Sequence, residues 1–348
     1  MIRMKSKKKQ LLSDNRVFLI AEAGVNHNGD IEIARKLIDV AAESGADAVK
    51  FQTWKPGELT GKFAIKVKYI DNGSDETRYD ISKNLALPYP VFKELKTYAN
   101  KKGILFLSTP DGFESLDFLV DKLDMPIIKI SSTEITHLAF LRAVAGKNRP
   151  VILSTGMSTL GEVERCVQIL HTNPCSNHVL LHCTSEYPAP LEEVNLKAMV
   201  TMREAFKMRV GFSDHTPGCE AAIASVALGA TVVEKHFTVD KTLPGPDHKA
   251  SLSPEELNHF VGSIRRTEEL LGDGIKKPSH SELRNINGIR RGVVAARELS
   301  KGTVLSREML AAKRPFIGIE PEQLSCFIGH ILRRSLSEDE PIHWDDIR

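Results

Sequence analysis

Two histidines and two lysines, each at or near the end of a short apolar run, carry the chemistry this sequence offers. His215 closes VGFSDH and His236 stands in VVEKHFT, with a segment of helical character over 220–228 between them. A parallel β-α-β unit would hold both imidazoles at the same edge of a sheet. Placed so, beside the carboxylate of Glu234, they are either satisfied core groups or the protein half of a divalent metal site. Lys50 in VKFQ and Lys129 in IIKIS also interrupt apolar runs. Each is either paired to a nearby glutamate or, with Thr109, Ser132 and Ser154 at neighbouring strand ends, part of a clamp for phosphate and carboxylate oxygens. A Schiff-base role would need only one lysine and no metal.

The elements that must position these groups are eight runs rich in Val, Ile, Leu and Phe: 17–24, 48–53, 104–109, 127–131, 151–156, 179–184, 210–215 and 232–238. Helical patterns separate most of them. In the first, Asp30 is the expected N-cap and Ile33, Leu37, Ile38 and Ala41 recur at helical spacing; after the eighth run, Ser253 caps a helix over 254–271. Alternating strands and helices over 17–271 predict an α/β fold, a (β/α)8 TIM barrel. A doubly wound open sheet is disfavoured, because no GxGxxG follows the first strand and polar residues end nearly every strand.

Alternation assigns an inner face to Glu22, Lys50, Gln52, Lys129, Ser131, His182, Thr184, Ser213, His215, Glu234 and His236. Val49, Phe51, Ile128, Ile130, Leu181, Cys183, Phe212 and Val233 are then expected to pack outward, with Lys235 as the exception. Desolvating so many polar groups is costly unless a polar, anionic ligand fills the mouth.

The remaining composition narrows the class. Of 348 residues, 41% are hydrophobic and 26% charged, with a net charge of +2, so neither disorder, a membrane span nor nucleic-acid binding is indicated. The basic cluster at 5–9 reads as a flexible terminus over 1–16 without the apolar core of a signal peptide. The five cysteines are scattered without a CxxC, which fits a cytoplasmic protein. Residues 272–287 are polar and broken by Gly and Pro, and read as a linker. From 288 to 348 short strands alternate with turns, and Leu299, Leu305 and Leu310 match Leu336, Ile342 and Ile347 at a constant offset. So small a module is expected to lean on the barrel or on a partner subunit for burial.

The segments IAEAGVNHNGD (20–30), GADAVKFQT (45–53), FLSTP (106–110), KISSTE (129–134), ILSTGM (152–157), HCTSEYPAP (182–190), GFSDH (211–215), EKHFT (234–238), GPDHKASL (245–252) and KRPFIG (313–318) resemble the bacterial sialic acid synthase family, in order and from about residue 17 to the end. The resemblance implies a barrel followed by an antifreeze-like (SAF, β-clip) domain in a domain-swapped homodimer. It also implies condensation of phosphoenolpyruvate with an N-acetylmannosamine-type sugar and water, giving N-acetylneuraminate and phosphate. His215 and His236 would then hold the metal, Mn2+ foremost, with Mg2+ or Co2+ as substitutes. Lys50, Thr109, Lys129, Ser132, Ser154, Ser185 and Ser213 would bind phosphoenolpyruvate. Glu22, Gln52, Tyr187 and Asp247 would contact the N-acylated amino sugar, with Asn72 as a further contact, and Glu22 or Glu134 would transfer protons. Arg314 would reach into the partner's barrel and hold the acyl group. Two departures bear on phosphate binding: Ser185 stands where many members have Asn or Thr, and KISSTE stands where KIxSGE is usual.

Within the same chemistry, a 2,4-diacetamido-2,4,6-trideoxymannose acceptor would give a legionaminic-type acid. The intact GPD at 245–247 disfavours the pseudaminic branch. A metal-dependent barrel hydrolase explains the histidines but not two clamp lysines, and a non-catalytic carbohydrate-binding protein leaves the polar mouth without a purpose.

Overall fold

The computed structural model describes residues 16–65 and 76–348. Asn72 and the basic cluster at 5–9 lie outside the described residues. The chain forms two compact units, Met1–Gly272 and Asp273–Arg348.

The first unit contains eight parallel strands: β1 (Phe18–Gly24), β2 (Ala48–Thr53), β3 (Leu105–Pro110), β4 (Ile128–Ile130), β5 (Val151–Ser154), β6 (Val179–His182), β7 (Arg209–Asp214) and β8 (Val232–His236). Their order is β3-β2-β1-β8-β7-β6-β5-β4, and β3 and β4 also lie side by side, so the sheet closes into the expected (β/α)8 barrel. The helix Ile31–Glu43 shows how the outer layer forms. Asp30 caps it by accepting from Glu32 N at 2.6 Å, and it buries Ala34, Leu37, Ile38 and Ala41 while Ile33 stays partly exposed. Fully burying the larger of these side chains contributes roughly 1.5–3 kcal/mol apiece. The helix Pro254–Leu271 begins with the capping box of Ser253 and Glu256.

Register sets the mouth. Glu22 on β1 lies opposite Lys50 on one side and His236 on the other. Gln52 lies opposite Thr109, and Ser213 opposite Glu234.

Strand β6 departs from the expected alternation. His182 pairs in register with Phe212, stacks on its ring at 6.1 Å and bonds through Nε2 to Val194 O, so it faces outward. Leu181 and Cys183 take the inner side, with Cys183 Sγ 3.1 Å from Ser132 Oγ. The run VLLHC is apolar on both faces, so period two carries little information there. Ser131 is also reassigned: its side chain caps the turn Ser132–Glu134.

In the second unit β9 (Gly292–Ala295) pairs antiparallel with β10 (Leu310–Lys313). The six residues of the sequence repeat, Leu299, Leu305, Leu310, Leu336, Ile342 and Ile347, are all buried in one cluster around Phe327. The stretch read as a linker instead contains most of a helix, His280–Ile289, started by a capping box between Ser279 and Glu282.

Candidate active site

Lys50 and Lys129 both point into the barrel mouth and are held by carboxylates. Lys50 Nζ lies 2.8 Å from Glu22 Oε1, 3.1 Å from Thr109 Oγ1 and 3.8 Å from Glu234 Oε2. Lys129 Nζ lies 3.2 Å from Glu234 Oε1 and donates to Ser154 Oγ at 2.9 Å. Glu234, which also accepts from Ser213 Oγ at 3.2 Å, therefore bridges the two ammonium groups. Burial alone would push its carboxyl up, but Lys129 and Lys50 together pull it down to about 2. Glu22 goes the other way: burial, aided by the Glu234 charge, outweighs Lys50 and lifts it to about 7. Burial lowers the pKa of Lys129, whereas at Lys50 the Glu22 and Glu234 charges overcome burial and raise it.

Ser132, Ser154 and Ser185 come from three successive strand ends. A Cβ placed on Gly156 would fall 2.3 Å from Ser185 Oγ and 3.0 Å from Ser132 Oγ, so the glycine leaves room for both hydroxyls. Gly156 N donates to Ser132 Oγ at 2.9 Å.

The imidazoles of His215 and His236 face each other with ring centroids 5.7 Å apart. His215 Nδ1–H donates to Thr184 O at 2.6 Å, which leaves its Nε2 lone pair directed at the mouth's other groups, 3.4 Å from Ser213 Oγ. His236 Nδ1 is buried without a hydrogen-bond partner, 3.9 Å from Asp247 Oδ2. Burial lowers both imidazole pKa values, and the neutral ring is the form that binds a metal. Asp247 is raised to about 6 by burial. Gly24, at φ +51°, lets this corner close: a Cβ there would sit 3.3 Å from His236 Cε1 and 3.5 Å from both Asp247 and Glu22. Tyr187 lies over His215 at 4.2 Å and meets His236 edge-on at 5.6 Å.

The donor set fits a divalent cation, because His215 presents its Nε2 lone pair with only a long contact to Ser213 Oγ and His236 has an unpartnered buried nitrogen. Among the described residues no three His, Cys, Asp or Glu side chains form a metal cage.

The structure thus brings together Glu22, Lys50, Gln52, Thr109, Lys129, Ser132, Ser154, Ser185, Tyr187, Ser213, His215, His236 and Asp247, with Gln52 donating to Glu22 at 3.2 Å. Glu134 is paired to His137 at 2.8 Å. Arg314 is exposed in the second unit. Sequence reasoning placed Glu234 on the inner face beside the imidazoles but did not make it the bridge between the two lysines. It also passed over Asp111, which shares the parity of Thr109 just beyond the apolar run.

Fold and mouth together define a (β/α)8-barrel enzyme. Residues 37–276 match the NeuB family, and the chain belongs to it; residues 290–348 match the SAF domain. The chain is 48% identical over 331 residues to the N,N'-diacetyllegionaminic acid synthase of Campylobacter jejuni, covering 94% of this chain and 99% of the relative. It is 46% identical over 336 residues to the enzyme of that name from Legionella pneumophila, covering 95% and 94%. The N-acetylneuraminic acid synthetase of Leptospira borgpetersenii, a crystal structure with citrate, superposes with a TM-score of 0.71 at 36% identity, covering 78% of this chain and 91% of that one. Among the described residues no helix is long and apolar enough to cross a membrane.

Proposed function

We propose that this enzyme condenses phosphoenolpyruvate with an N-acylated amino sugar of the mannose series, releasing phosphate and a nonulosonic acid. The observation that carries the reading is the pair of buried ammonium groups from non-adjacent strands, bridged by Glu234, beside two imidazoles. A phosphorylated carboxylic acid supplies the anionic oxygens that such a pair needs in place of its internal carboxylates.

Lys50 and Lys129, with Thr109, Ser132, Ser154, Ser185 and Ser213, hold the donor's carboxylate and phosphate. Glu22, Gln52, Tyr187 and Asp247 line the acceptor side. The enol carbon of the donor bonds to the sugar's aldehyde carbon, and water adds to the cationic carbon left behind. Glu22 or Glu134 takes the proton that this water loses and passes it to the former aldehyde oxygen, which becomes a hydroxyl. The tetrahedral intermediate then breaks its C–O bond to phosphate, and its remaining hydroxyl proton leaves with the phosphate as the ketone forms. A divalent cation held by His215 and His236, Mn2+ by resemblance, supplies Lewis-acid polarisation of the aldehyde when bound. Arg314 of a second copy, in a domain-swapped homodimer, holds the acyl group.

The relatives at 48% and 46% identity support 2,4-diacetamido-2,4,6-trideoxymannose as acceptor over N-acetylmannosamine, which the 36%-identical Leptospira structure favours. Phosphate release from phosphoenolpyruvate, measured with each sugar and Mn2+, tests both levels. We expect release only with a sugar present, and at least about tenfold higher kcat/KM for the diacetamido sugar. Sugar-independent release would overturn the reaction, and a reversed preference would overturn the acceptor.

A further inference from the structure

Asp111 belongs to the barrel mouth but to neither the lysine clamp nor the imidazole pair. It follows β3 directly: its backbone N–H donates to Thr53 O at 3.0 Å, which extends the β2–β3 ladder by one residue. Thr109 is the residue opposite Gln52, so Asp111, two positions on, takes the same inward parity one layer nearer the opening. It is 8% exposed. Its carboxylate feels the charges of Glu134, Lys50, Glu22 and Lys129, yet among the described residues no donor or cation bonds to it. The two lysines are spent on Glu22, Glu234 and Ser154.

A buried carboxyl without a cation is costly in the free protein, and more so beside a bound phosphorylated acid. Its oxygens are not fully enclosed, so water can solvate them in the free protein, but once the substrates fill the mouth only a neutral group rich in N–H or O–H can satisfy them without adding charge. The donor offers negative oxygens, and the aldehyde oxygen of the sugar only accepts. The acceptor's hydroxyls and amide N–H groups remain.

We propose that Asp111 is a specificity-determining residue of the acceptor subsite, taking a hydrogen bond from a hydroxyl or amide N–H of the uncharged sugar, on the side of the mouth already formed by Glu22 and Gln52. This rests on the reading of the reaction given above. Its test starts only once the wild-type chain releases phosphate with a sugar, so failure of that reaction is seen first and separately.

With the working sugar, full-length Asp111→Leu should raise the sugar's KM at least about tenfold and leave the KM of phosphoenolpyruvate within about twofold. Asp111→Asn keeps the shape and an accepting oxygen, and should raise the sugar's KM by less than the leucine variant. An unchanged sugar KM, or an equal rise for both substrates, overturns the proposal. Should the leucine variant not fold, the asparagine variant decides: a sugar-only rise of about threefold or more supports the role, and anything else overturns it.

Discussion

Glu22 and Glu234 both touch Lys50, yet their carboxyls move in opposite directions, to about 7 and about 2. The difference is the number of ammonium neighbours: Glu234 lies within 4 Å of two, Glu22 of one. Asp111 has none that close and is lifted to about 7, first by burial and then by the Glu134 charge. A carboxyl whose pKa is higher folded than unfolded contributes stability below its unfolded value near 3.8, and that contribution is lost as pH rises toward 7. Asp111→Asn should therefore reduce the fall in stability between about pH 4.5 and pH 8 by roughly 2–4 kcal/mol. Chemical denaturation of the metal-free and ligand-free protein across that range checks this. An unchanged slope would show that Asp111 ionises normally. At this scale the sequence marked the lysines and histidines well, because a charge inside an apolar run is conspicuous. Asp111 was hidden, since a polar residue just past a strand looks like any loop residue until the register is known.

Lys235, the exception to the alternation, is explained by the elements it joins. It faces outward from β8 and is 2% exposed, with Nζ 2.8 Å from Asp214 Oδ2 of β7 and a further bond to Thr216 O. Asp214 in turn accepts from Thr216 N and Oγ1 at 2.9 and 2.7 Å. Asp214 immediately precedes His215 and Lys235 immediately precedes His236, so this buried pair ties together the two strand ends that present the imidazoles. A buried pair of this kind is weak evidence for stability but strong evidence for fixed geometry. Lys235→Met together with Asp214→Asn should weaken Mn2+ binding by about tenfold or more, in line with the loss of groups that orient metal ligands. Lys235→Arg should keep most of it. Mn2+ titration followed by electron paramagnetic resonance measures the affinity directly, and wild-type affinity in the double variant would mean that the rest of β7 and β8 suffices. Strand β6 illustrates the opposite case. Its alternation could not be read from VLLHC, and only the pairing of His182 with Phe212 settles which side faces in.

On the scale of the whole molecule, the barrel was legible because eight apolar runs recur with helices between them, whereas the core of the second unit, expected to lean on the barrel or a partner for burial, shows in the sequence only as a weak repeat. Its repeat residues bury one another, and Leu299 and Leu336 exchange two backbone bonds of 2.8 Å. The helix His280–Ile289 is hard to see in the sequence because most of its residues are polar and none is buried, although SHSE at 279–282 carries the signature of a capping box. A unit with its own core can be exchanged between copies without losing its fold, and this makes the domain-swapped assignment of Arg314 testable by complementation. Arg314→Ala and Lys129→Ala variants should each be nearly inactive. In a swapped dimer, one of each gives one site with both residues intact and one with neither. Co-refolding equal amounts should then restore about a quarter of wild-type phosphate release, since half of the dimers are mixed and each holds one working site. If Arg314 serves the barrel of its own chain, every site in the mixture lacks one residue or the other. No recovery beyond the sum of the two variants is then expected, and the swapped arrangement would have to be abandoned.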